Sequence, residues 1–284
     1  PRKQAVIKLD LPEIKQIHSK VIVEGHNLNK SYGEKVIFQN AEFAIANGAK
    51  VALIGPNGCG KTTLLRMIMK REAGIRIAPG AAIGYFSQEM SILDEDLTIL
   101  ENVMAASIYD EGFARTLLSR LLFKRDDVFK RVAVLSGGER VKVSFAKMVL
   151  KELNLLILDE PTNYLDLNSL DVVEEVLREY DQTLLLVSHD RRLISSVADH
   201  IMTIENFQIK NFQGTFEEYL AWKKAVPKQG LEEIKKQIFL LENRLSDIIG
   251  RLSMPSKDDD PEALDQEYHA VLAELKNLKA KLES

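Results

Sequence analysis

The residue types and spacing most able to do chemistry stand together in Gly55-Pro56-Asn57-Gly58-Cys59-Gly60-Lys61-Thr62-Thr63. The apolar run Val51-Ala52-Leu53-Ile54 precedes them, and Leu64, Leu65, Ile68 and Met69 follow at helical spacing. A buried strand, a glycine-rich turn and a helix, in that order, are the setting of a phosphate-binding loop. The glycines let successive backbone N–H groups point inward at a β-phosphate, where a Cβ would block them. The helix N-terminus adds free donors and the positive end of its dipole. Lys61 is spaced to reach β- and γ-phosphates, and the Thr62 hydroxyl to ligate Mg²⁺. The stretch points to a nucleoside triphosphate.

Other elements must position this loop. Leu135-Ser136-Gly137-Gly138-Glu139 opens a helix running through Val141, Val143, Phe145, Ala146 and Val149. Ser136-Gly137-Gly138 is thereby a further helix-start anion site. Leu155 to Leu158 is an apolar strand ending in Asp159-Glu160, and a helix from Leu167 to Tyr180 leads to the strand Thr183–Val187, which ends in Ser188-His189-Asp190. Strand, helix and strand in this rhythm predict a mostly parallel sheet with its chemistry at the carboxyl ends of the strands.

Before the loop, Val21-Ile22-Val23, Val36-Ile37-Phe38 and Phe43-Ala44-Ile45 read as short strands, with turns at Asn29-Lys30 and Asn47-Gly48, and Tyr32-Gly33 lies in the first of those turns. Ile75-Arg76-Ile77 and Ala82 to Phe86 read as two more. Leu97, Ile99, Leu100, Val103, Leu117, Leu118, Leu121 and Leu122 predict a helical insertion from residue 98 to about residue 130. Residues 1–20 read as the tail of a linker. From Leu231 to Leu252, and again from Leu264 to Leu282, apolar residues alternate spacings of three and four, around a polar turn with two prolines. Two such helices predict an antiparallel coiled-coil hairpin. It reads either as a packing appendage or as an arm touching a large partner, with Lys223, Lys224, Lys228, Lys235 and Lys236 clustered at its base.

With 284 residues and 45% hydrophobic content there is room for one large domain and an appendage. A net charge of −4 advertises no global basic field, so any nucleic-acid contact must be local. The single cysteine, Cys59, excludes an internal disulfide and fits a reducing, cytoplasmic compartment. There is no apolar run of about 18 residues or more, and so no expected membrane span. The chain opens at Pro1 with neither initiator Met nor signal peptide, and reads as a piece of something longer.

The phosphate loop, Gln88, Leu135 to Glu139, Leu155 to Glu160 and His189 stand in the order found in ATP-binding-cassette ATPases, which residues 21 to 222 resemble. Asp159-Glu160-Pro161-Thr162-Asn163-Tyr164-Leu165-Asp166 is similar to the ABC-F form of that segment, where Asn follows Pro-Thr; Tyr164 departs from the usual His. Glu139, and the ending from Asn211 to Leu220, resemble the same family. The resemblance implies a P-loop ATPase domain over residues 21–226, with a mixed sheet core, an antiparallel β part and a helical subdomain, and the coiled-coil hairpin over 227–284. It implies ATP and Mg²⁺ as cofactors. Asp159 would hold the metal through water with Thr62 and Gln88, and Glu160 would orient or deprotonate the attacking water. His189 would bond the γ-phosphate, with Gln88 sensing metal and water. Tyr32 would stack on adenine, or else pack within its turn. The residues expected around ATP are then Tyr32, Gly55, Asn57, Gly58, Gly60, Lys61, Thr62 and Thr63. Ser136, Gly137, Gly138 and Glu139 would close over ATP held by an opposite cassette, either the first cassette of the same parent chain or a second copy. The family further implies a clamp acting on ribosomal RNA and ribosomal proteins, as a translation factor or a protector against antibiotics.

Two other classes compete. The energising subunit of a membrane transporter would have a small residue such as Ser or Ala in place of Asn163 and Gln in place of Glu139. A DNA-repair or chromosome-organising ATPase would insert its coiled coil inside the cassette, whereas here the coil follows it.

Overall fold

A computed structural model describes residues 17–87, 92–163, 165–225, 229–253 and 261–283. Gln88 and Tyr164 lie outside the described residues. The chain divides into two compact units that meet in sequence between Leu220 and Ala221.

The first unit opens with a long antiparallel hairpin, β1 (Val21–Tyr32) and β2 (Lys35–Ala46), where short strands were expected. Asn29-Lys30 is not a turn. The register shifts around Leu28 and Lys30, and Asn27 and Asn40 take left-handed φ of 50° and 49°. The Asn29 side chain donates to Asn27 O at 2.9 Å and to Asn40 Oδ1 at 3.1 Å. The asparagines therefore bulge the ladder instead of reversing it. The reversal comes at Gly33-Glu34, and the expected Asn47-Gly48 turn does end β2.

From there the chain runs through β3 (Lys50–Ile54), α1 (Lys61–Lys70), β4 (Ile75–Ile77), β5 (Ile83–Phe86), α2 (Ile99–Met104), α3 (Glu111–Arg120) and α4 (Gly137–Val149). It continues with β6 (Leu155–Asp159), α5 (Leu167–Glu179), β7 (Thr183–Val187), α6 (Arg191–Val197), β8 (His200–Glu205), β9 (Gln208–Gln213) and α7 (Phe216–Ala225). A three-stranded antiparallel sheet has the order β2-β1-β4; a six-stranded mixed sheet has the order β5-β6-β7-β3-β8-β9, parallel except for the last pair.

The apolar runs of β6 and β7 are continuous because both faces of the large sheet are covered. Leu156, Leu158, Leu184 and Leu186 face one core, shared with the helical layer. Leu155, Ile157, Leu185 and Val187 face the other, shared with α1 and the small sheet. The mixed sheet, antiparallel β part and helical layer expected of the fold are all present. The helical insertion is broken into capped pieces: Thr98 and Glu101 form a capping box on α2, and the Asp110 side chain caps α3.

The second unit holds α8 (Gln229–Ser253) and α9 (Pro261–Glu283). Ile248, Leu264 and Val271 are buried between them, and the ion pairs Arg244–Glu267 at 2.6 Å and Glu242–Lys279 at 2.8 Å link the two helices.

Candidate functional site

Three strand ends converge on the glycine-rich loop, which leaves β3 and enters α1. Gly60 is the N-cap of α1 with φ of 119°, and no side chain caps the helix. A Cβ there would stand 2.6 Å from Ile37 Cγ2 and 3.1 Å from Phe38 Cζ. Only glycine fits against β2 in that conformation, and the first-turn N–H groups are left for an anion. Lys61 Nζ donates to Gly55 O at 2.8 Å and Pro56 O at 3.2 Å, which fixes the ammonium over its own loop.

A cleft of about 460 Å³ gathers the loop residues Asn57, Gly58, Gly60, Lys61, Thr62 and Thr63 with Tyr32, Asp159, Glu160 and His189. Gly55, expected around ATP, does not line the cleft; its carbonyl accepts from Lys61 Nζ. Lys35 and Ile37 also line the cleft. Neither stood out in the sequence. The signal that could have found them is the hairpin register, which sets Lys35 opposite Tyr32.

The two acids sit at the end of β6, whose Asp159 pairs with Val187 of β7. Burial pushes the Asp159 carboxyl above the usual range, against a hydrogen bond of 3.1 Å from Tyr85 Oη and the field of Lys61. Glu160 takes a left-handed φ of 53° while its N–H donates to Val187 O at 2.8 Å. A glutamate in that region is strained, by about 1–3 kcal/mol, and a backbone bond to the next strand holds it there. Burial raises its carboxyl too, against the opposing pull of His189. Its Oε2 accepts the His189 backbone N–H at 3.4 Å, and Oε1 lies 3.5 Å from His189 Nε2. A carboxylate desolvated in this way is poised to take a proton from water in a closed site.

Ser136, Gly137, Gly138 and Glu139 do not line this cleft. Ser136 caps α4 in a capping box with Glu139, whose carboxylate accepts from Ser136 N at 2.9 Å and from Ser136 Oγ at 2.6 Å. Those bonds hold the Glu139 carboxyl below its ordinary value. A Cβ on Gly137 would meet nothing within 4 Å, so the fold itself does not ask for glycine there.

A family model described as ABC transporter matches residues 38–163. The chain is 36% identical over 263 residues to the ribosome protection protein VmlR of Bacillus subtilis (strain 168), covering 91% of this chain and 46% of that protein. It is 35% identical over 230 residues to ABC transporter F family member 5 of Arabidopsis thaliana, covering 78% and 33%. The chain belongs to the ABC-F family. Identity to the energy-dependent translational throttle protein EttA of Escherichia coli (strain K12) is 36% over 213 residues, covering 72% of this chain and 38% of that protein. The chain thus spans less than half the length of each of these relatives. A solved structure titled as the ATP-binding subunit of an ABC transporter superposes with a TM-score of 0.58 at 26% identity, over 69% of this chain and 91% of that one. Among the described residues of the ABC-F chain, no helix is long and apolar enough to cross a membrane.

Proposed function

We propose that this ABC-F chain is one cassette of an ATP-driven clamp that acts on the ribosome in the cytoplasm. The observation that carries the reading is the Asp159-Glu160 pair, held at a strand end across the cleft from the phosphate loop, with Glu160 bonded to His189. Loop N–H groups and Lys61 would bind the phosphates, and Tyr32 would take the adenine ring. Glu160 would hold the attacking water and accept its proton, while His189 would bond the γ-phosphate.

Among the described residues no group of three or more His, Cys, Asp or Glu could hold a metal unaided. Mg²⁺ suits such a site, because it takes few protein oxygens and shares substrate phosphates. The donors here are hard oxygens, and the half-buried Asp159 carboxylate has Tyr85 as its hydrogen-bond donor. Thr62 and Asp159 would hold the ion, with Gln88 as a third donor; when bound it neutralises charge developing on the phosphates.

The exposed capping box at Ser136 supports pairing. Helix α4 opens with anion-binding geometry yet its start stands outside the chain's own cleft, so it would complete the site of a second cassette. Hydrolysis by the chain alone should then rise with protein concentration; a turnover rate independent of concentration, without dimer, would contradict pairing. The layout proposed is a linker through residue 20, the ATPase domain to residue 226 and an antiparallel coiled-coil arm over 227–284, which reaches toward the partner. The relatives named for ribosome protection and translational throttling favour the ribosome as that partner.

The test uses the intact protein that carries these residues, with Glu160 and the equivalent glutamate of its other cassette changed to Gln. Hydrolysis should stop while ATP binding persists, and the protein should co-sediment with ribosomes in ATP but not in ADP. Protein left in the supernatant with both nucleotides would refute the ribosome reading.

A further inference from the structure

We propose that Lys35 is a second phosphate-contacting lysine of the cleft, supplied by the β-hairpin and not by the glycine-rich loop. The inference rests on the ATP-binding reading above and deepens it.

The first observation is placement. Lys35 lines the same cleft as Tyr32 and the phosphate loop, and its Nζ lies 3.5 Å from where a Cβ on Gly58 would stand. The ammonium is therefore against the loop backbone. Tyr32 and Lys35 are paired in register across the Gly33-Glu34 turn, so their side chains project from the same face of the hairpin. Tyr32 and Lys35 thus line one cleft, with the Lys35 ammonium on the side of the loop.

The second observation is the lack of a structural employer. Several lysines of this unit, though not all, are engaged: Lys30 with Glu72 at 2.7 Å, Lys142 with Asp166 at 3.2 Å, Lys147 with Ile92 O at 2.7 Å, and Lys50 with Arg178 O at 2.6 Å. Lys61 is tied to the carbonyls of its own loop. The Lys35 side chain makes no hydrogen bond or ion pair with any described residue. An ammonium carries three donors, and one held beside backbone N–H groups in a concave site adds to their attraction for an anion. The matching ligand is a polyphosphate whose base lies on Tyr32 and whose phosphates lie on the loop. Lys35 would bridge the two halves and bind diphosphate and triphosphate alike.

Calorimetric titration of ATP, ADP and adenosine into the wild type, Lys35→Met and Lys35→Arg tests this. Methionine keeps the aliphatic stem and removes the charge. Lys35→Met should weaken ATP and ADP binding by about tenfold, the scale of one charge-assisted hydrogen bond at a solvated site. Adenosine binding and the melting temperature should not move, and Lys35→Arg should stay within about threefold of wild type because charge and reach are kept. The ATP difference should narrow as salt rises. Lys35→Met binding ATP as tightly as wild type would overturn the inference alone, as would an equal loss for adenosine. A wild type that binds no ATP would overturn the nucleotide reading and this inference with it.

Discussion

Replacing Gly60 by alanine is the sharpest test of how the phosphate loop is built. At φ of 119° the backbone of Gly60 is in a region that L-residues rarely enter, and the added Cβ would stand 2.6 Å from Ile37 Cγ2. The conformational strain is about 1–3 kcal/mol, and overpacking against β2 adds about 1–3 kcal/mol. If the loop holds its place, the cassette loses about 2–6 kcal/mol, which for a unit of this size lowers the melting temperature by about 4–24 °C. If the loop yields instead, the N–H groups at the start of α1 turn away and the loss moves into ATP affinity.

Calorimetric melting and ATP titration on the same protein capture both routes, and their summed loss should reach at least about 2 kcal/mol. Two other glycines act as internal controls. Gly58→Ala has strain from φ of 76° but only Lys35 Nζ nearby, at 3.5 Å, so its loss should be smaller. Gly137→Ala meets nothing within 4 Å and should not lower the melting temperature. A Gly60→Ala protein that melts within about 1 °C of wild type and binds ATP equally well would refute the reasoning.

Three further outcomes follow from the same geometry. Because burial raises the Glu160 carboxyl above its ordinary 4.5, its ionised form burdens the folded state; Glu160→Gln should melt higher than wild type at neutral pH. That gain should shrink as pH falls through the raised value and vanish below about 4.5, and a gain that grows on acidification would reverse the assigned sign. Ser136→Ala removes the cap of α4 and should destabilise the first unit by about 1 kcal/mol, read as a shift in denaturant midpoint with an unchanged slope. Ile248→Ala should lower the stability of the helix pair by about 2–5 kcal/mol, seen as loss of helical circular dichroism at lower temperature; an unmoved transition would mean Ile248 is not in that core.

The legible parts of this chain were those written in consecutive residues. Strand β3, the glycine loop and helix α1 form one continuous text, and the apolar runs of β6 and β7 announce doubly covered strands ending in acids. The β8–β9 hairpin did not announce itself, because its outer strand alternates weakly and is exposed on one side. Asn29-Lys30 misled because asparagine tolerates left-handed φ in a bulge as well as in a turn. Lys35 and Ile37 were hidden for a different reason. Their role depends on which strand lies beside the loop, and that is decided by Phe38, Ile45 and Leu53 packing in one core.

Glu160 shows why register matters more than residue type at this site. A carboxylate at a strand end is ordinarily solvated and turned outward. Here the Glu160 N–H is captured by Val187 O, one strand over, at the cost of a left-handed backbone. That capture leaves the carboxylate half-buried and within 3.4 Å of the His189 N–H, which leaves the end of the same neighbouring strand. The strain, the desolvation and the histidine contact therefore have one origin, the Asp159–Val187 pairing of β6 with β7. A change that slips this pairing, such as Val187→Pro, removes the carbonyl's neighbours from register and, on the role proposed for Glu160, should abolish hydrolysis while ATP binding persists. Because proline at that position threatens the sheet as well, Val187→Ala supplies the second arm. It keeps the backbone bond, so hydrolysis should survive at a reduced melting temperature. Loss of hydrolysis in Val187→Ala at a temperature where it is folded would show that the side chain, and not the strand register, positions Glu160.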